Sequence, residues 1–99
     1  NNPTNTKMND EIKRLCFLLG LRMKDVMVVR KDAQRVLSRK PELVEQHNVT
    51  TLSIVFVYKY AMTIPNKNMQ NVKRTLKITP YIINKILPKI LTANVSVRA

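Results

Sequence analysis

The chain has 99 residues, of which 18 are Lys or Arg and 6 are Asp or Glu, giving a formal net charge of +12. A chain of this length forms one domain at most, and no apolar run approaches the ~20 residues that a membrane-spanning helix needs. Such an excess of positive charge indicates a polyanionic partner: a phosphate backbone, an anionic lipid surface or an acidic protein. A single glycine argues against a sheet built from tight hairpins and favours helices.

The N-terminal part is predicted to hold a lead-in and two helices. Residues 1–9 are polar and rich in Asn, and we interpret them as a disordered lead-in or linker. A first helix is predicted over about residues 10–19, because apolar residues recur at i, i+3, i+4 and i+7 from Ile12 and Gly20 stands where a helix ends. A second helix is predicted over about residues 23–39, with its valines on one face and its Lys and Arg residues on the other.

The middle of the chain holds an ambiguous segment, TLSIVFVYKYAM at residues 51–62. Its β-branched and aromatic residues favour a strand by propensity. It is apolar nearly all round, however, it does not alternate cleanly, and Asn48 precedes it as a candidate helix cap. No strong second strand is available to pair with it. We therefore predict a buried central helix, with a strand over residues 53–60 as the alternative.

The C-terminal half is predicted to add a short helix over residues 41–46, a helix over about residues 68–78, and a last helix that follows Pro80. Pro88 should kink the last helix, because proline cannot bond the carbonyl of the preceding turn. Together the segments predict an all-α fold, a compact array or bundle of about five to six helices. The domain would cover residues 10–93 and leave residues 94–99 as a tail.

Two stretches share one pattern: LSRKPELV at residues 37–44 and LKITPYII at residues 76–83, whose prolines lie 39 residues apart. A period of this size is typical of helical repeats, whose units bury their apolar faces by stacking. The stretches resemble the Leu-x-x-x-Pro-x-Leu-Leu pattern of the mitochondrial transcription termination factor (mTERF) family, and FLLGL at residues 17–21 is similar to an element of that family's unit. The resemblance implies a helical-repeat (solenoid) array, a role in transcription or organelle gene expression, and a mitochondrial location. Without it, we expect a nuclear one.

Catalysis has little support in the sequence. His47 is the only histidine and sits in a predicted loop, and Cys16 lies on an apolar face, where thiols behave as small hydrophobes. Neither a Gly-rich phosphate loop nor a metal-ligand spacing of Cys and His occurs. We expect no enzyme activity, no cofactor, no metal and no small-molecule substrate. Because Cys16 is alone, we expect a reducing, intracellular compartment.

The candidate functional residues are basic, and each lies off the apolar face of a predicted helix. They are Lys24, Lys31, Arg35, Arg39, Lys73, Arg74, Lys77, Lys85 and Lys89. Few acidic residues interleave with them at i, i+4, so we expect these faces to attract an external polyanion rather than form salt-bridge ladders. Aromatic residues are few, which favours duplex over single-stranded nucleic acid, whether DNA or RNA.

The leading prediction is therefore a non-enzymatic, nucleic-acid-binding domain that contacts phosphate backbones. The alternative is a helical protein-interaction module that holds acidic disordered peptides in a groove near Tyr81 and Ile90 of the last helix. A weaker third option is a basic surface that rests on anionic lipid.

Overall fold

The computed structural model describes residues 2–93, and every regular element in that part of the chain is helical. The helices are α1 (Pro3–Leu18), α2 (Met23–Arg39), α3 (Leu43–Gln46), α4 (Val49–Ala61), α5 (Met69–Leu76) and α6 (Leu87–Ala93). A π-helical segment, Ile82–Ile86, leads directly into α6. Helical residues thus run unbroken from Pro80 into α6, and we call residues 80–93 the last helix. The all-α prediction is confirmed, and the predicted tail, residues 94–99, lies outside the described residues.

Helix α1 begins much earlier than the sequence predicted. The Asn2 side chain accepts a hydrogen bond from the backbone N–H of Thr4 at 2.8 Å, and Pro3 occupies the first turn, where its missing N–H costs nothing. Met8 is buried in the core, and the Arg30 side chain of α2 donates to the Asn9 carbonyl at 2.8 Å. The prediction of a disordered lead-in up to residue 9 is therefore wrong for the residues from Pro3 onward.

The C-terminal end of α1 follows the predicted glycine signal. Gly20 has φ +75°, its N–H bonds to the Phe17 carbonyl at 3.0 Å, and the N–H of Leu21 bonds to the Cys16 carbonyl at 3.0 Å. This pair of bonds is a Schellman motif, which satisfies carbonyls at the end of the helix and turns the chain sharply towards α2.

Helix α4 is the centre of the fold. The Asn48 side chain caps it by accepting the N–H of Thr51 at 2.7 Å, and most of its side chains are buried, with Phe56 fully so. It contacts α1, α2, α5 and α6. A helix surrounded on all sides must be apolar all round, which explains why the segment lacks an amphipathic pattern. The prediction of a buried central helix rather than a strand is confirmed.

The two prolines of the shared pattern lie at corners between helices, as predicted. Pro41 lies in the turn between α2 and α3, and Pro80 is the first helical residue of the last helix. The helices on either side differ in length, since α2 has 17 residues and α5 has 8. The prediction that α2 spans residues 23–39 is correct to the residue.

The last helix contains an irregularity beside Pro88. The sequence predicts a kink there, and the structure has the π-helical segment immediately before it, with the N–H of Leu87 bonded to the Ile82 carbonyl five residues earlier. Within residues 2–93, none of the helices is long and apolar enough to cross a bilayer.

Candidate nucleic-acid interface

The structure distributes the nine predicted basic residues over three surfaces. Lys24, Lys31, Arg35 and Arg39 lie on α2; Lys73, Arg74 and Lys77 lie on α5 and its end; Lys85 and Lys89 lie on the last helix. Seven of them are exposed, while Lys73 and Lys89 are half-buried. The three surfaces differ in the partners that their charges already have, and this difference decides which of them suits an external polyanion.

The α2 surface includes a carboxylate, that of Asp32, which pairs with basic residues. Arg35 forms an ion pair with Asp32 at 2.5 Å, and Lys59 of α4 forms a second one with the same carboxylate at 3.0 Å. The expectation from the sequence concerned acids at i, i+4 only, and Asp32 stands three residues before Arg35, outside that spacing. Asp32 offsets part of the positive charge of this surface and joins α2 to α4.

Lys89 connects two parts of the fold. Its Nζ lies 3.3 Å from Oε1 of Gln46 and 3.3 Å from Nε2 of His47, and its backbone carbonyl accepts a hydrogen bond from Lys40 Nζ at 3.0 Å. Burial, together with the Lys89 charge, lowers the pKa of His47. These contacts hold α3 against the last helix, so Lys89 has a structural role that the sequence did not indicate.

A short connection joins α5 to the last helix, and with it the second and third groups of basic residues, which together we call the α5 surface. Helix α5 ends at Leu76, Lys77 adopts a left-handed conformation with φ +58°, and Pro80 begins the next helix. Thr79 caps that helix, because its Oγ1 accepts the N–H of Ile82 at 3.2 Å. The connection is therefore only three residues long, residues 77–79. A helix, a three- or four-residue turn and a second helix are the chain arrangement of helix-turn-helix motifs.

The second helix of this arrangement has a clear outer face. Tyr81, Asn84, Lys85 and Pro88 are exposed and follow the i, i+3, i+4, i+7 spacing of one helical side. Tyr81 is the most exposed of the large hydrophobic side chains, at 59%. On the other side, Ile82, Ile86 and Ile90 are buried in the core. Sequence reasoning did not select Tyr81 or Asn84 as nucleic-acid contacts. Their helical spacing with Lys85, just after the Thr79-Pro80 start of a helix, could have indicated that the three residues share one face.

The charges on this surface have few acidic neighbours in the chain. No Asp or Glu occurs after Glu45 in the sequence, so α5 and the last helix contain cations and no carboxylates. Arg74 donates to the Asn71 side chain at 3.3 Å, a neutral partner that leaves its charge uncompensated by that contact. Because Arg74, Lys77 and Lys85 are all exposed, this surface suits a polyanion better than the α2 surface does.

The prediction that Tyr81 and Ile90 line one groove is wrong. Ile90 is fully buried, while Tyr81 points to solvent. A fully buried side chain cannot line an open groove, so Ile90 cannot contact a docked peptide there.

Two observations concern metal binding and the reactivity of the Cys16 thiol. Among residues 2–93, no group of three or more His, Cys, Asp or Glu side chains is arranged to hold a metal ion. Burial raises the pKa of the Cys16 thiol to about 11, which makes it a poor nucleophile.

Comparisons with models of protein families, with curated proteins and with solved structures found no match to this chain. The fold and the surface thus define a small basic helical domain in which a three-residue connection joins α5 to the last helix.

Proposed function

We propose that the domain binds duplex DNA without catalysing a reaction, and that α5, the connection and the last helix form the contacting unit. The observation that carries this proposal is the three-residue connection between α5 and the last helix, beside which Arg74, Lys77 and Lys85 are exposed in a part of the chain without carboxylates. In helix-turn-helix proteins the second helix enters the major groove and its N-terminal residues reach the base edges.

The residues of this surface divide into two roles by their chemistry. Lys73, Arg74 and Lys77 on α5 and its end would contact phosphates, which fix the position of the protein but carry no sequence information. On the last helix, Asn84 would face base edges, because Asn pairs with adenine in the major groove, and Lys85 would contact a phosphate. Duplex RNA is a poorer partner, since its deep, narrow major groove does not admit a helix.

The α2 surface has a secondary role in this proposal. Its cations add to the net charge that attracts a polyanion from a distance, but Asp32 offsets part of that charge at close range. A role in transcription, membership of the mTERF family, and a mitochondrial or nuclear location remain predictions from the sequence.

The test is the salt dependence of binding to duplex DNA. With phosphate contacts from Lys73, Arg74, Lys77 and Lys85, the log–log slope of affinity against salt should be about −3.6. The variant Arg74→Ala/Lys85→Ala should weaken binding and make the slope shallower by about 1.8. The matched control is Lys7→Ala/Lys13→Ala, which removes two exposed cations from α1 and the same net charge.

Comparing Arg74→Ala/Lys85→Ala with Lys7→Ala/Lys13→Ala distinguishes a specific DNA-binding surface from attraction by net charge alone. If both weaken DNA binding equally, the domain is a diffuse polycation and the proposed contacting unit is wrong. Asn84→Ala should leave binding to random duplexes unchanged, and should reduce the preference among sequences selected from a random pool by about 1–3 kcal/mol. A pool that yields no preferred sequence would limit the interface to phosphate contacts.

A further inference from the structure

A groove runs between α2 and the C-terminal end of α4, and no residue of α5 or the last helix lines it. It has a volume of about 450 Å³, which is within the usual range for ligand sites, roughly 300–1,000 Å³. The residues that line it are Val28, Val29, Lys31, Asp32, Arg35, Lys59, Tyr60 and Thr63. The lining combines apolar side chains with three cations and one carboxylate, and the Lys59 side chain is only 13% exposed.

Polar links between α2 and α4 hold the groove open. The hydroxyl of Tyr60 donates to Oδ1 of Asp25, and Lys59 donates to Asp32 at 3.1 Å. Asp25 and Asp32 are two helical turns apart on α2, so the links fix the two helices at two points along their length. A partner would therefore meet a preformed groove and would not have to order it on binding.

Two neighbouring apolar side chains of α2 are exposed at the groove, the lining residue Val28 and the adjacent Met27. Val28 is 50% exposed and Met27 is 44% exposed. Methionine is adaptable and is common on surfaces that bind peptides. A phosphate backbone gains nothing from apolar contacts of this kind, whereas the apolar side of an amphipathic peptide does. This observation distinguishes the groove from the DNA surface.

We propose that this groove docks an acidic amphipathic segment of a partner protein. One large apolar side chain of that segment would enter between Val28 and Tyr60, and its flanking carboxylates would pair with Lys31, Arg35 and Lys59. Charge complementarity selects this occupant, since the groove has three cations to one carboxylate on a domain whose net charge is +12. Asp32 now pairs with Arg35 and Lys59, so a carboxylate of the partner would compete with it for the same two cations.

The experiment uses a fluorescein-labelled amphipathic peptide with Leu and Phe on one helical face and Asp and Glu on the other, titrated with the protein and followed by anisotropy. A second peptide with Lys in place of every acid controls for apolar attraction alone. Val28→Glu should weaken binding of the acidic peptide by about tenfold or more, because it places a carboxylate among the residues that line the groove. Val44→Glu, at an exposed apolar position on α3, changes the net charge equally and should leave binding unchanged.

Each outcome decides for or against the proposal. Equal losses in Val28→Glu and Val44→Glu would mean that net charge alone attracts the peptide, and this would overturn it. So would a peptide affinity that falls in Arg74→Ala/Lys85→Ala but not in Val28→Glu, or a DNA affinity that falls in Val28→Glu as much as the peptide affinity does. The absence of saturable binding by the acidic peptide would also overturn it. Circular dichroism of each variant verifies that the fold is intact.

Discussion

The contact between Asp25 and Tyr60 allows a direct measurement of how firmly α2 is joined to α4. Asp25 is only 9% exposed and has two hydrogen-bond donors, the backbone N–H of Arg22 at 2.8 Å and the hydroxyl of Tyr60. The variant Tyr60→Phe removes one donor and leaves a largely buried carboxylate that water reaches poorly. Hydrogen bonds to charged groups contribute about 1.5–3 kcal/mol, so we expect the free energy of unfolding to fall by about 2 kcal/mol near neutral pH.

The pH dependence of this loss has a definite sign. The hydrogen bond from Tyr60, followed by the bond from the Arg22 backbone, lowers the pKa of Asp25. A carboxyl whose pKa is lower in the folded state stabilises the fold above its unfolded pKa, and this stabilisation is lost as the pH falls through the folded pKa. The difference between wild type and Tyr60→Phe should therefore be largest at neutral pH, should begin to shrink near about pH 4, where the carboxyl of the unfolded chain becomes protonated, and should vanish only below the folded pKa.

Urea denaturation followed by circular dichroism at several pH values measures both effects. Tyr81→Phe is the matched control, because it removes the same hydroxyl from a side chain that is 59% exposed, and it should change stability by less than about 0.5 kcal/mol. If Tyr60→Phe costs no more than Tyr81→Phe at any pH, the contact does not join α2 to α4, and the argument for a preformed groove fails with it.

Backbone conformation and the buried thiol give further predictions. Gly20→Ala should lower the free energy of unfolding by about 1 kcal/mol in thermal denaturation, because φ is +75° although a Cβ would meet no atom within 4 Å. Lys77→Gly should raise it by about 0.5–1 kcal/mol by relieving a left-handed lysine, and a loss of stability there would contradict the argument. Cys16 is fully buried, so iodoacetamide should alkylate it only as fast as the domain opens, and alkylation at the rate of a free thiol would show that α1 does not stay packed.

Sequence reasoning worked where the signal is local. The bounds of α2 follow from the periodicity of its own apolar residues, and the end of α1 follows from the adjacent Gly20. Each signal lies within the helix or a few residues from its end. The start of α1 could not be found in this way, because a run of Asn and Thr residues has the same composition whether it is disordered or helical. What decides the matter is tertiary: Met8 packs into the core, and Arg30 donates to the Asn9 carbonyl from a different helix.

In the candidate site, too, local features were predictable from the sequence and long-range contacts were not. Exposure of Arg74, Lys77 and Lys85 followed from their positions on predicted amphipathic helices. The structural role of Lys89 did not, since its partners lie more than forty positions earlier in the chain, at Gln46 and His47. Lys59 likewise meets Asp32 across two helices that the sequence does not place side by side. Contacts of this kind arise only once the fold brings distant segments together.

The composition of α4 also affects how the domain behaves before it has folded. Its sequence is rich in β-branched and aromatic residues, so as an isolated segment it has a stronger tendency to form strands than helices. In unfolded chains such a segment can pair with its copies and nucleate aggregation. The charge of +12 opposes this by keeping unfolded chains apart. Salt or polyanions that screen this repulsion should therefore promote aggregation during refolding, so yield after dilution from denaturant should fall as ionic strength rises.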